Sequence, residues 1–299
     1  MQRKFYTPLV KAMAKKAGIS LDELSNIKGT GHGGRVNKQD FEAFLKTRGT
    51  NSSGKVEYKN PPLVFAGKTE VIPMDSMRKV IAKNMVASKQ ISPHVNSISE
   101  VDLTHIVKFR ESFKNEFFRQ EGIKLTYTPF ILKAIIEAIK EFPLINSSVD
   151  GDNIVVKKDI NLGFAVAVEG NGLVVPIIHN ATDYSMTGLC RKVDELANKA
   201  RSKKLTMDDL QGGTFTCTNV GSFGTLLATP IILQPQVGIY AAGAIQKRVV
   251  VMPDDSMAIR SMMYGTHTYD HRVIDGQLGG LFLESIHRNL KEMRPDELF

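Results

Sequence analysis

Apolar residues recur at helical spacing in two short stretches near the amino terminus, at Leu9, Val10, Met13 and Ala17 behind Pro8 and at Phe41, Phe44 and Leu45 behind Asn37. Side chains three or four residues apart share one face of an α-helix, so this pattern predicts two small helices. Beyond residue 70 the pattern lengthens and changes period. Stripes at Met77, Val80, Ile81 and Met85, and at Ile106, Phe109, Phe113 and Phe117, predict helices packed on a surface by one face. Residues 129–141 are apolar on more than one side and open on a proline, which predicts a more buried helix. Leu189, Val193, Leu196 and Ala200 mark another, and Leu278, Leu281, Phe282, Ile286 and Leu290 a last one. Between them, residues 94–101, 160–168, 173–178, 213–219, 237–244 and 258–268 read as strands. Helices interleaved with strands predict a mixed α/β domain.

The polar stretch between the two patterns sets the domain boundaries. Lys46 to Gly67 carries Gly49, Asn51, Ser52, Ser53, Gly54 and the pair Pro61-Pro62, a composition that reads as a linker with a flexible half and a stiffer half. The expected organisation is a small domain over residues 5–46, a linker over 47–69 and a large domain over 70–299.

Charge sharpens the picture of the small domain. Residues 1–48 hold ten Lys or Arg against four acids, six of the eight net positive charges of the whole chain. A basic module of this kind binds nucleic acid, an anionic membrane surface or an acidic protein face. Interleaved aromatics that would stack on bases are missing, which argues against nucleic acid. The longest apolar stretch, Thr229 to Ile245, is broken by Pro230, Gln234, Pro235 and Gln236, so no run of about 20 apolar residues spans a membrane. Two cysteines, Cys190 and Cys217, cannot build a disulfide framework, and a reducing, cytoplasmic setting (or a mitochondrial matrix) is expected.

Gly29, Gly31 and Gly34 in the loop Ile27 to Val36 match GxGxxG, but no strand precedes them and no βαβ unit surrounds them. The loop reads instead as a place of tight packing or partner docking, not a dinucleotide site. The stronger chemical signal is Asp270-His271-Arg272-Val273-Ile274-Asp275-Gly276, set between a strand and a helix. A histidine titrates near neutral pH and can take a proton from a thiol or hydroxyl. His267 forms HxxxH with it, but the break between strand and turn removes the helical geometry that zinc ligation by such a pair requires, and no metal site is expected. A second segment, Gly212 to Gly224, places Thr214, Thr216 and Thr218 on one face of a strand and Phe215 and Cys217 on the other. A hydroxyl there can serve an oxyanion or simply suit a strand, while Cys217 reads as core.

These segments, with Gly172-Leu173-Val174-Val175-Pro176-Ile177-Ile178 and Ser76-Met77-Arg78-Lys79-Val80-Ile81-Ala82, resemble the dihydrolipoamide acyltransferases of 2-oxo acid dehydrogenase complexes. Tyr6 to Leu45 resembles their peripheral subunit-binding domain. The resemblance implies a chloramphenicol acetyltransferase-like α/β fold with a mixed sheet and acyl transfer between dihydrolipoamide and coenzyme A. It implies that His271 deprotonates the attacking thiol, that Thr218 hydrogen-bonds the oxyanion, that Asp275 organises the turn and ring, and that Arg78 contacts CoA. It further implies trimers built into a cubic or icosahedral core, with His271 and Thr218 meeting from different subunits. The small domain would hold the decarboxylase or dihydrolipoamide dehydrogenase through Arg35, Lys38, Lys11 and Lys15. No lipoyl domain precedes Tyr6, so the expectation is either a fragment of a longer protein or a lipoyl group that arrives on another chain. The rivals are a free-standing chloramphenicol acetyltransferase-like enzyme and a non-catalytic scaffold. Branched-chain, succinyl and acetyl specificities stay open.

Overall fold

The structure, a computed structural model, describes residues 7–17, 19, 27, 29–31, 34–51, 67–168 and 172–299. Two compact units divide the chain, Met1–Val71 and Ile72–Phe299.

In the first unit, helices α1 (Pro8–Lys16) and α2 (Lys38–Asn51) contribute Val10, Ala14 and Phe41 to a small core with Ile19, Ile27 and Val36, and Met13 and Phe44 pack against it; Leu9, Ala17 and Leu45 of the expected stripes are exposed instead. The entry to α2 is a reciprocal cap. Asn37 Oδ1 accepts from Asp40 N at 2.9 Å and Asp40 Oδ2 accepts from Asn37 N at 2.9 Å, so two orphan donors of the helix start are satisfied. The same carboxylate accepts from Thr30 N and Thr30 Oγ1 and thereby ties the glycine loop to the helix. Hydrogen bonds from the Asn37 backbone and then from Thr30 hold Asp40 below the usual carboxylate range. A Cβ at Gly29 would lie 2.4 Å from the Arg35 carbonyl carbon, and Gly34 has φ +79°. The glycines therefore serve close backbone packing, as the sequence predicts. Helix α2 runs to Asn51, past the expected domain edge at residue 46, because each added residue still closes a backbone hydrogen bond. Residues 52–66 of the expected linker lie outside the described residues.

The second unit is built on one mixed sheet. Its strands are β1 (His94–Asp102), β4 (Leu162–Phe164), β7 (Ile177–Ile178), β8 (Phe215–Asn219), β9 (Gly238–Ala242), β10 (Gln246–Val251) and β11 (Met257–Asp270), in the order β1-β11-β9-β8-β4-β7 with β10 on β11. The pairs β4–β8 and β8–β9 are parallel and the others antiparallel. Two hairpins stand apart, β2 (Ser147–Asp150) with β3 (Asn153–Val156) and β5 (Val166–Val168) with β6 (Gly172–Val174).

The expected strands 160–168 and 173–178 each split in two, the second at Pro176, which has no N–H to give a ladder. Strands β2, β3 and β10 escaped the sequence reading. The Asp150-Gly151 turn, with Gly151 at φ +56°, and the run Val249-Val250-Val251 are the signals that mark them.

Five α-helices complete the unit among the described residues: α3 (Ser76–Ile91), α4 (Thr104–Glu121), α5 (Thr128–Glu141), α6 (Met186–Arg201) and α7 (Gly276–Glu292). Helix α5 is the core helix that the sequence predicts, with Phe130, Ile131, Leu132, Ile135 and Ile136 all buried. Truncating one of them, such as Leu132→Ala, removes about 2–5 kcal/mol. The phenylalanine stripe of α4 is covered by Phe299, whose ring lies 5.7, 5.5 and 5.3 Å from those of Phe109, Phe113 and Phe117. The stripe on α3 is different. It is expected to pack, yet Met77 and Val80 are 44% and 58% exposed, Ile81 and Met85 are half-buried, and Ser88 is the buried residue of that helix. Among the described residues no apolar surface covers Met77 and Val80.

Candidate active site

The three threonines of the β8 segment share a face but not a role. Thr214 Oγ1 donates to Asn161 O at 3.2 Å, and Thr216 Oγ1 donates to Gln236 Oε1 at 2.7 Å. The Thr218 hydroxyl has no hydrogen-bond partner among the described residues. It faces a cavity of about 890 Å³. Apolar side chains including Ile131, Phe164, Val166 and Leu173 line that cavity, together with the cationic residues Arg110, Lys124 and Arg201. Arg110 is fixed by donation from Nε to Leu125 O at 2.8 Å and lies over the Tyr127 ring at 4.8 Å. Arg201 and Lys124 form no ion pair among the described residues. Other cations of α6 are neutralised, Arg191 by Glu121 and Lys192 and Lys199 by Glu195. Cys190 also lines the cavity, but burial and then the charge of Glu121 push its thiol up to about 12. Burial does the same to Cys217. Neither is a thiolate at neutral pH, so neither is an available nucleophile.

His271 stands at the other end of the sheet. Strand β11 ends at Asp270, and the His271 backbone N–H donates to Pro93 O at 3.0 Å. Its side chain is exposed, and its ring makes no hydrogen bond among the described residues. Tyr269 flanks it, with ring centroids 6.2 Å apart. Asp275 is the N-cap of α7: its Oδ1 accepts from Leu278 N at 2.8 Å. The structure thus gives Asp275 the turn but not the ring. His267 lies inside β11, fully buried, with Nδ1 3.1 Å from Gly279 O and its ring edge-on to Phe282. Burial lowers its pKa to about 4. Four residues on a strand separate it from His271 by roughly 13 Å, too far to share a metal ion.

Sheet register separates His271 from Thr218 as well. Thr218 pairs with Ala241 and Ala241 with Thr266, while His271 lies five residues beyond Thr266. That is about 16 Å along the strand, besides two strand spacings across. A single chain does not bring the two together.

Arg78 opens α3, where its N–H donates to the Asp75 cap at 2.7 Å. A Cβ on Gly172 would lie 3.3 Å from its guanidinium, so it sits beside the β5–β6 hairpin whose Val166 and Leu173 line the cavity. Arg35, Lys38 and Lys11 are exposed in the first unit, Lys38 in a 3.7 Å pair with Glu42. Lys15 lies on α1, and its side chain is outside the described residues. The sequence reading missed the cations Arg110, Lys124 and Arg201, which are far apart along the chain and meet only in the fold.

Residues 66–299 match the model of the 2-oxoacid dehydrogenases acyltransferase catalytic domain. The chain belongs to this family. Residues 4–42 match the E3-binding domain, so the chain joins a dehydrogenase-binding module to an acyltransferase of 2-oxo acid dehydrogenase complexes. Among curated relatives, the Bacillus subtilis lipoamide acyltransferase component of the branched-chain alpha-keto acid dehydrogenase complex is 40% identical over 97% of this chain and 72% of its own length. The succinyltransferase component of the 2-oxoglutarate dehydrogenase complex of the same organism is 38% identical over 99% and 70%. Among solved structures, Azotobacter vinelandii dihydrolipoamide acetyltransferase, studied for the catalytic role of a serine, a histidine and an asparagine, is 35% identical, with a TM-score of 0.75 over 80% of this chain and 98% of that one. The cubic core of a pyruvate dehydrogenase complex matches with the same identity, TM-score and coverage.

Proposed function

We propose that this protein transfers acyl groups between dihydrolipoamide and coenzyme A at sites formed where two copies of the chain meet, His271 coming from one and Thr218 from the other. The observation that carries this reading is the separation of the two residues in the monomer, each with a side chain that has no hydrogen-bond partner among the described residues of its own chain. The exposed apolar stripe of α3 and the likeness to a cubic core support the association of copies. Asp275 stands four residues after His271, as the asparagine does after the histidine in the Azotobacter enzyme.

In this arrangement the neutral imidazole of His271 takes the proton of the attacking thiol. Such a base is needed because a free thiol, with a pKa near 8.5, is only a few per cent thiolate at pH 7. The sulfur attacks the thioester carbonyl, and the Thr218 hydroxyl donates to the oxygen as it gains negative charge. His271 then returns the proton to the departing thiol, so the exchange is balanced without water. The residues present fit coenzyme A: apolar walls suit its flexible arm, and Arg110, Lys124 and Arg201, with Arg78 beside the hairpin, suit its phosphates. Arg35, Lys38 and Lys11, exposed in the first unit, are the cations offered to the dehydrogenase.

The test is exchange of acetyl, succinyl and isobutyryl groups between CoA and free dihydrolipoamide. His271→Ala should lower turnover by about 10²- to 10⁴-fold. Equal turnover in wild type and variant would sink the assignment. The ranking of the three acyl groups identifies the substrate, which divides the named relatives.

A further inference from the structure

Asp275 leaves the His271 ring untouched, so something else must fix this residue at the end of β11. The structure shows what does. Asp270, next to the histidine in sequence, is 1% exposed, and its carboxylate accepts five hydrogen bonds, from Ser92 before the strand and from Arg272 after the histidine, Arg272 Nε reaching Oδ2 at 3.2 Å. Arg272 Nε reaches Oδ1 at 3.0 Å, Nη2 reaches Oδ2 at 2.7 Å and the Arg272 backbone N–H reaches Oδ1 at 3.0 Å. Ser92 Oγ donates to Oδ2 at 2.6 Å and in turn accepts from Gln234 Nε2 at 2.8 Å. The Asp270 carbonyl accepts from Val273 N and Ile274 N, which closes the turn. Under the turn the Tyr269 ring is locked, since a Cβ on Gly279 would lie 2.5 Å from it.

We infer that Asp270 and Arg272 are positioning residues for catalysis, a bidentate clamp that brackets His271 and holds it where a neighbouring copy's thioester can reach it. A forked guanidinium on a carboxylate fixes angle as well as distance, which a lysine cannot reproduce. Displacement of a catalytic group by about 1 Å can cost about 10²-fold in rate. The inference rests on His271 being the base.

The experiment compares wild type, His271→Ala, Arg272→Ala and Arg272→Lys as assembled protein in acetyl exchange between CoA and dihydrolipoamide, with assembly checked by sedimentation. Arg272→Ala should lose about 10²-fold in kcat with KM for both substrates within about twofold, and added guanidinium ion should restore part of kcat. Arg272→Lys should stay low in kcat although it keeps the charge and, if the alanine variant does not assemble, it decides the question. An Arg272 variant with wild-type kcat beside an inactive His271→Ala overturns the clamp alone. A His271→Ala protein as active as wild type removes the acyltransfer reading and the clamp with it.

Discussion

The two ends of the central sheet carry the two halves of the candidate site, and they are built in opposite ways. The Thr218 half is enclosed: a strand buried on both faces, a cavity wall, and one hydroxyl left unspent beside two that the fold has used. The His271 half is open, an exposed ring on a turn held by backbone and carboxylate contacts. On the function proposed above, the chain supplies its own oxyanion donor and substrate cavity and offers its base outward, to another copy. Enclosure suits a donor that must stay oriented in a low-dielectric pocket, while exposure suits a group that completes a site only on association.

The largest effect is expected on mixing two inactive proteins. His271→Ala and Thr218→Ala, dissociated together and reassembled, should regain activity, because random pairing leaves about a quarter of the interfaces with both groups intact. Activity that stays at the level of the single variants would place both residues in one chain's site. Next in size is Thr218 alone. Thr218→Val should lower kcat by about 10²- to 10³-fold, whereas Thr218→Ser should stay close to wild type. A valine variant with unaltered kcat would return Thr218 to the role of an ordinary strand residue.

The stretch of β11 between the two halves gives a prediction about stability. Burial lowers His267 to a pKa of about 4, and burial lowers His287 to about 4 as well. The unfolded chain takes up these protons near the ordinary 6.5, the folded chain only near 4. Stability is therefore complete above about pH 6.5 and falls as the pH drops toward 4, by about 1.4 kcal/mol per unit for each histidine. Denaturation midpoints at pH 7, 6 and 5 should fall for wild type and fall less for His267→Leu; parallel slopes would show that His267 does not carry the effect. The smallest effect belongs beside His271. Asp275→Ala should cost about 1 kcal/mol by removing the α7 cap, and Asp275→Asn almost nothing, because asparagine caps as well. Thermal melts that rank the two variants equally would assign Asp275 a role other than capping.

Local physics made much of this molecule legible in the sequence. The helical stripes of α4, α5, α6 and α7 follow from side-chain period, and α5 reads as buried because its apolar positions go round the helix. The turn at His271 and the cap at Asp275 follow from neighbours a few residues apart. Short strands in hairpins were harder, since β2 and β3 offer four residues each, β2 with a single apolar residue and β3 with its apolar positions exposed. Three things were decided by tertiary structure alone, because they depend on contacts between residues distant in sequence. One is which threonine remains free: Thr214 is spent on Asn161 and Thr216 on Gln236, residues from other strands and loops. Another is the cluster of Arg110, Lys124 and Arg201 at one cavity, from three separate elements. The last is the distance between His271 and Thr218. Both motifs stand plainly in the sequence, but strand order and register, set by pairing between distant segments, put them at opposite ends of one sheet, and that separation is what the proposed sharing of a site between copies rests on.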